Sequence, residues 1–298
     1  MIRPHGIGLY APSGFALDPI AIDRAVTRLT AMWERVVVDP TCRTRVQRFA
    51  ASDDERLASV MRMAGDAAVD LAIALRGGYG ITRLLPRLDF AAIASARKQW
   101  LGYSDFTAFQ LAALARSGMV TFAGPVVSDF GAAEPSAFTF DHCFGLLDQS
   151  RYEVTCRLEG PDFIGGGTLW GGNLAMVAHL CGTPFFPDVE GGILFLEDVG
   201  EVPYRVERML YQLHHAGVLA KQRAILLGHF TEYALSDNDG GYDFGAAVAH
   251  MRSVCATPIF TGLPFGHVRD KLTLPVGGHC EMLVRGGNTT LVLSDYVR

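Results

Sequence analysis

Residues 101–118 read LGYSDFTAFQLAALARSG. The left edge is apolar and strand-like, and the right edge has the spacing of an amphipathic helix. Ser104 sits at the junction, with Asp105 behind it. A strand that turns straight into a helix is the repeating unit of an α/β protein. The segment also leaves a question about the serine. Serine is a favoured helix cap. A sharp strand-to-helix turn also exposes a side chain at its apex and aims backbone N–H groups at the same point. The GxSxG elbow of serine hydrolases is incomplete here, because Phe106 stands where that pattern has its second glycine.

The alternation continues on both sides of this stretch. Residues 6–11 form a short apolar strand ending in Pro12-Ser13-Gly14. Residues 20–33 carry apolar side chains at helical spacing, and 35–38 are β-branched. Ser52 or Asp53 can cap a helix through Leu57, Val60, Met61 and Met63. Residues 69–75, VDLAIAL, are continuously apolar, as in a strand covered on both faces. That run stops at Arg76-Gly77-Gly78-Tyr79-Gly80, and a further helix is expected to carry Ile81, Leu84 and Leu85. Residues 119–123 read as another strand. The first half is therefore expected to be a Rossmann-like, mainly parallel sheet with helices on both faces.

Beyond about residue 150 the rhythm changes. GPDFIGGGTLWGG, residues 160–172, is glycine-dense and reads as a turn-rich segment or linker. Strands then dominate, at 192–196, 224–227, 259–261, 280–284 and 290–293, with helical pieces at 174–180 and 205–216. The expected division is an α/β domain over 1–150 carrying the serine, and a β-rich domain over 165–298.

Composition narrows the function. The 298 residues are 49% hydrophobic and 19% charged, as in a chain with a sizeable core. The net charge is −5 and no basic run appears, which argues against nucleic-acid binding. No apolar run approaches a membrane span. Arg3, Pro4 and His5 fall where a signal peptide needs an apolar stretch, so the chain reads as cytoplasmic. The six cysteines contain no CxxC pair, and neither a disulfide framework nor a zinc knuckle is expected. No HExxH or similar ligand spacing supports a metal, and no cofactor is expected.

Ligands of α/β proteins usually bind at the carboxyl ends of strands. Three features fall there: the glycine loop at 76–80, Gly102-Tyr103-Ser104-Asp105, and Leu196-Glu197-Asp198. A nucleophilic serine needs a base. Of nine histidines, His214 and His215 lie in a helix as surface or interhelical positions, and His179 lies in a helix as a packed one. His267 lies in a loop after Gly-Pro punctuation, where a general base and a solvated side chain are equally open readings. Glu197 follows four apolar residues, so its carboxylate emerges from a buried strand and needs a partner. Asp198 and Glu201 compete with it, and pairing with Arg205 or Arg208 is the plainer account of that acidic group. The glycines of the 76–80 loop allow a close backbone approach to a ligand. Without a Walker lysine or GxGxxG, that loop suits an oxyanion or a carboxylate as well as a phosphate.

Six blocks in register, ALRGGYGITRLLPRLD, GYSDFTAFQLAAL, TFAGP, GTLWGGNLAM, ILFLEDVGEVPYRVERMLYQL and TGLPFGH, resemble the bacterial LD-carboxypeptidases over about residues 5–285. The resemblance implies a serine peptidase with a Ser-His-Glu triad on a Rossmann-like half and a β-rich half. Carried over by motif, Ser104 is the nucleophile, His267 the base and Glu197 the orienting carboxylate. The backbone N–H groups of Asp105 and Gly78 would form the oxyanion hole. Arg76 can pair with a substrate carboxylate, or form a salt bridge with Asp70 or Asp89. Many relatives have HGP where this chain has Ala123-Gly124-Pro125, which puts in doubt a role for a side chain at 123. The implied reaction removes the terminal D-alanine from an L-centre of a cytoplasmic muropeptide, for cell-wall recycling, and a homodimer is implied. Two alternatives share the fold: a hydrolase of peptidyl-nucleotide antibiotics, for which Trp170 would stack on a base, and a non-catalytic muropeptide-binding module. A nucleotide-dependent oxidoreductase lacks its phosphate fingerprint.

Overall fold

The computed structural model describes residues 5–297. Arg3 and Pro4, read above against a signal peptide, lie outside them. The first part alternates strand and helix: β1 (Gly6–Tyr10), α1 (Pro19–Thr30), β2 (Arg35–Val38), α2 (Asp53–Gly65), β3 (Leu71–Ala74), α3 (Phe90–Ser95), β4 (Gln99–Gly102), α4 (Thr107–Ser117), β5 (Thr121–Ala123), α5 (Val127–Phe130) and α6 (Ala137–Leu147). The second part contains β6 (Tyr152–Arg157), β7 (Phe163–Asn173), α7 (Leu174–Leu180), β8 (Ile193–Val199), α8 (Pro203–His215), β9 (Ala224–Thr231), α9 (Phe244–Val254), β10 (Ile259–Thr261), β11 (Leu274–Val276), β12 (His279–Arg285) and β13 (Asn288–Ser294).

Strands β1 to β5 pair in parallel, and the six-stranded sheet has the order β11-β5-β4-β3-β1-β2. Helices cover both faces, so β3 and β4 are buried almost throughout and their sequences are apolar without alternation. Ser52 caps α2, reciprocally with Glu55. The helix expected to carry Ile81, Leu84 and Leu85 is instead two 3-10 turns, Ile81–Arg83 and Leu85–Arg87. Pro86 contributes to this, since it has no N–H to donate to a continuing helical ladder.

The second sheet has seven strands in the order β10-β9-β8-β7-β12-β13-β6. Its β7 to β10 half is parallel and keeps helices between its strands, while β12, β13 and β6 are antiparallel. Of the glycine-dense segment read as a turn-rich segment or linker, 160–162 are loop and 163–172 belong to β7, an eleven-residue strand at the centre of this sheet. Its glycines answer to crowding: a Cβ on Gly171 would stand 2.0 Å from the Phe195 carbonyl oxygen, and one on Gly172 would stand 2.4 Å from Thr107 Oγ1. Glycine density signals a turn only when the backbone is exposed, and here it permits close packing.

One strand crosses over. β11 leaves the second part of the chain and pairs antiparallel with β5 at the edge of the first sheet. The segment joining β10 to β11, residues 262–273, therefore runs from one sheet to the other and passes the carboxyl end of β4. Among the described residues no helix is long and apolar enough to cross a membrane. None of the six cysteines is bridged.

Candidate active site

Ser104 follows the carboxyl end of β4 and opens a 3-10 turn, Ser104–Phe106, that runs into α4. Its φ is 66°, in the left-handed region that a side chain makes unfavourable. Gly102, two residues earlier, has no room for a Cβ, which would meet the Phe106 ring at 2.7 Å. The serine is not a cap, because no side chain caps either the 3-10 turn or α4. Its Oγ lies 3.0 Å from His267 Nε2 instead. On the far side of the imidazole, His267 Nδ1 lies 2.7 Å from Glu197 Oε2.

Each partner is delivered by its own element. Glu197 lies in β8 and is fully buried. His267 lies on the crossing segment, held to β9 by the His229 N–H donating to the Phe265 carbonyl and the Leu263 N–H to that of Leu227. Gly266, with φ 141°, lets the segment close over β8, since a Cβ there would approach Glu197 Oε2 to 3.3 Å. The His267 ring packs against Tyr103 at 4.9 Å between centroids. Lys271 Nζ sits 4.9 Å from the other ring's centroid, Tyr103's, and pairs with Asp129 at 2.7 Å. Burial raises the Tyr103 phenol well above its ordinary value, so it stays neutral beside the imidazole.

The residues flanking the relay are also fixed. Asp105 is buried, and its Oδ2 accepts from Ser13 Oγ at 2.7 Å and from the Ile81 N–H at 3.1 Å. Burial raises its pKa, opposed by those two bonds and by Arg56 and Arg48. One carboxylate thus ties the serine turn to the loop after β1 and to the end of the glycine loop. Gly77 packs directly on the serine, and Gly78, with φ 113°, continues the loop. Arg76 is half-buried and forms a salt bridge with neither Asp70 nor Asp89. Asp70 accepts from the His5 and Gly6 N–H groups, and Asp89 caps α3. The Arg76 guanidinium reaches the Phe15 carbonyl at 3.4 Å and lines a cavity of about 320 Å³ with Leu17, Leu75, Val127 and Ser128.

Behind the glutamate lies a residue that sequence reasoning passed over. Asn173 ends β7 and caps α7 with its side-chain oxygen. Its Nδ2 donates to Glu197 Oε1 at 3.3 Å and to Asp198 Oδ1 at 2.8 Å. Asp198 does not pair with Arg205 or Arg208. It accepts from Asn173 and from the Ala175 and Val199 N–H groups, and burial, aided by the Glu197 charge, raises its pKa to about 6. Glu201 is the acidic residue that faces Arg205, at 3.8 Å. The only signal for Asn173 was its place after Gly171-Gly172 in a quoted block. His179, expected to be packed, is exposed on α7. Trp170 is fully buried and donates Nε1–H to Gln222 at 2.9 Å, so its ring is closed to a ligand base. Among the described residues no three His, Cys, Asp or Glu side chains are placed to hold a metal ion.

Comparison with known proteins matches both parts of the chain. Residues 7–124 match the family model of the LD-carboxypeptidase N-terminal domain, and 166–282 that of the LD-carboxypeptidase C-terminal domain. A probable murein peptide carboxypeptidase of Bacillus subtilis (strain 168) is 30% identical over 281 residues, which is 93% of this chain and 88% of that protein. A putative carboxypeptidase of Streptomyces coelicolor is 31% identical over 304 residues, covering 96% and 92%. The crystal structure of muramoyltetrapeptide carboxypeptidase from Oxalobacter formigenes superposes with a TM-score of 0.91 at 46% identity, over 97% of this chain and 99% of that one. An MccF-like protein from Bacillus anthracis shares the fold, with a TM-score of 0.87 at 22% identity over 98% and 97%.

Proposed function

The chain belongs to the LD-carboxypeptidase family of peptidases, and on that footing we propose that it is a serine carboxypeptidase releasing the terminal D-alanine of murein tetrapeptides. The observation that carries this reading is the relay Glu197–His267–Ser104, with contacts of 2.7 Å and 3.0 Å. In this reaction Ser104 Oγ attacks the carbonyl carbon of the L-residue while His267 Nε2 takes its proton. Glu197 holds Nδ1–H, which fixes the tautomer and stabilises the imidazolium. The N–H groups of Asp105 and Gly78 receive the developing oxyanion, where one donor is worth about 3 kcal/mol. His267 then protonates the departing amine of D-alanine. A water, deprotonated by the same imidazole, hydrolyses the Ser104 ester and frees the shortened peptide. Arg76 pairs with the terminal carboxylate, because a guanidinium matches a carboxylate through two parallel hydrogen bonds.

The cellular role that follows is recycling: a cytoplasmic homodimer returns the tripeptide to cell-wall synthesis. Mass spectrometry of a murein tetrapeptide, incubated with wild type beside Ser104→Ala, tests the reaction. Loss of one alanine with wild type only is the expected result, and an intact peptide in both would end this reading. An Arg76→Ala enzyme with an unchanged KM would remove Arg76 from the scheme. A peptidyl-nucleotide run in parallel separates the antibiotic-hydrolase alternative. Cleavage of that compound alone would favour it.

A further inference from the structure

The rim of the site on the glycine-loop side is unusually cationic for a chain of net charge −5. Three segments meet there: the loop after β1, the tight turn at 46–49, and the glycine loop. Gly14 bridges to Phe49, and its N–H donates to the Gly77 carbonyl at 3.2 Å. Arg45 lies over the Phe15 ring at 3.9 Å, and Arg48 over the Tyr79 ring at 5.7 Å. Arg76 Nη1 stands 3.0 Å from the Cβ position of Gly14, whose other neighbours include the Arg48 backbone. Nearby Arg56 and Arg83 both pair with Asp53. Among the described residues Arg45, Arg48 and Arg76 have no carboxylate partner. Asp105, the acid in reach of Arg48, is already engaged by Ser13 and Ile81.

Two guanidinium groups held within Coulomb range without an acid between them repel. The Arg76 pKa is lowered, chiefly by burial and in lesser part by Arg48, with Tyr103 opposing the shift. The Phe15 and Tyr79 faces, 3.9 Å and 5.7 Å away, favour these positions for the exposed Arg45 and Arg48 side chains. A single anionic group entering between Arg48 and Arg76 would relieve the repulsion and use two planar donor forks at once.

We propose that Arg48 and Arg76 form a two-armed clamp for the free terminal carboxylate of the substrate, and that Arg48 is a specificity-determining residue restricting this enzyme to the last peptide bond. The proposal rests on the carboxypeptidase reading above and adds the reason for its exopeptidase character. A substrate whose carboxyl end is an amide, or continues into further residues, brings no charge to the clamp and leaves it unrelieved.

The test compares a murein tetrapeptide with its carboxyl-terminal amide, using wild type, Arg48→Gln and Arg48→Lys. Wild type is expected to prefer the free acid at least a hundredfold in kcat/KM. Arg48→Gln should raise KM for the acid about tenfold with kcat nearly unchanged, leave the amide unaffected, and so narrow the preference. Arg48→Lys, which keeps the charge, should restore much of the KM. A preference in Arg48→Gln equal to that of wild type overturns the proposal. A binding arm separates this from failure of the carboxypeptidase reading. By ligand-observed NMR, N-acetyl-D-alanine should bind wild type, its amide should not, and Arg48→Gln should bind the acid at least fivefold more weakly. Wild type that cleaves neither peptide but shows this binding pattern overturns the reading and keeps the clamp. Equal binding of acid and amide, or of neither, overturns the clamp.

Discussion

Gly77 lies against Ser104 so closely that a Cβ on the glycine would stand 2.5 Å from the serine Cβ and 2.6 Å from its Oγ. The neighbour it would strike is the proposed nucleophile, on a turn whose backbone has no slack. Gly77→Ala is therefore expected to displace the hydroxyl from His267 Nε2. A misplacement of about 1 Å at a reacting group costs on the order of a hundredfold in rate. Steady-state kinetics of Gly77→Ala should show that fall in kcat, with a folded far-UV spectrum. A variant with wild-type kcat would mean that the glycine loop can retreat.

The serine's backbone makes a second prediction. At φ 66° a residue other than glycine costs roughly 1–2 kcal/mol. Ser104→Ala keeps that cost and Ser104→Gly removes it. Both should lose activity by roughly ten-thousandfold or more, because the proposed nucleophile is gone. Ser104→Gly should nevertheless be the more stable of the two, by about 1 kcal/mol after its larger unfolded-state entropy is counted. Denaturant unfolding of the pair checks this, and an alanine variant as stable as the glycine one would mean the turn is unstrained.

Local pattern raises the candidates and leaves each a plainer reading, as a helix cap, a solvated loop histidine or a surface ion pair; the family resemblance assigns their roles. A serine at a strand-to-helix turn, a glutamate after four apolar residues and a histidine after Gly-Pro can each be picked from their own neighbourhood. Their convergence cannot. It depends on residues 262–273 crossing from β10 to β11, and nothing in LPFGHVRDKLTLPV announces that its last strand joins the other sheet. Asn173 and Ser13 escaped for the same reason, since each matters only through a side chain met after folding. In residues 163–172 composition counts glycines without seeing what presses on them, so a buried strand looks like a turn. At Ile81, Leu84 and Leu85 the difference is more local: the apolar spacing suggests one helix, and Pro86 stands against it.

Asn173 supplies one amide to two carboxylates, Glu197 and Asp198, from a buried position. Removing it leaves two acids side by side without a shared donor, an expensive arrangement in a low-dielectric site. Asn173→Ala should lower kcat roughly ten- to a hundredfold, the range typical of residues that orient a ligating or catalytic group, with KM nearly unchanged. Asn173→Asp should be worse, because it adds a third charge. The pH–rate profile carries the discriminating signal. If Asn173 orients Glu197, its loss shifts the acidic limb, whereas a purely structural role would lower the plateau without moving that limb.

Asp198 ties stability to pH. Burial, reinforced by Glu197, raises its pKa in the folded chain to about 6, against 3.8 for the ordinary side chain. The folded state therefore holds this proton more tightly than the unfolded state does. Below pH 4 both states are protonated and the group adds nothing. As pH rises through 4 to 6 the unfolded chain gives up its proton first, and stability falls. Above pH 6 the deficit levels off at about 3 kcal/mol. Asp198→Asn cannot ionise, so it escapes this loss while giving up one of the three hydrogen bonds, a pH-independent penalty of about 1 kcal/mol. The variant should be the less stable protein at pH 4 and should gain on wild type as pH rises, with the crossing between pH 4 and 6. Urea denaturation of both proteins across pH 4 to 8 measures the difference directly. A constant gap over that range would mean that Asn173 and the two backbone N–H groups keep Asp198 ionised throughout.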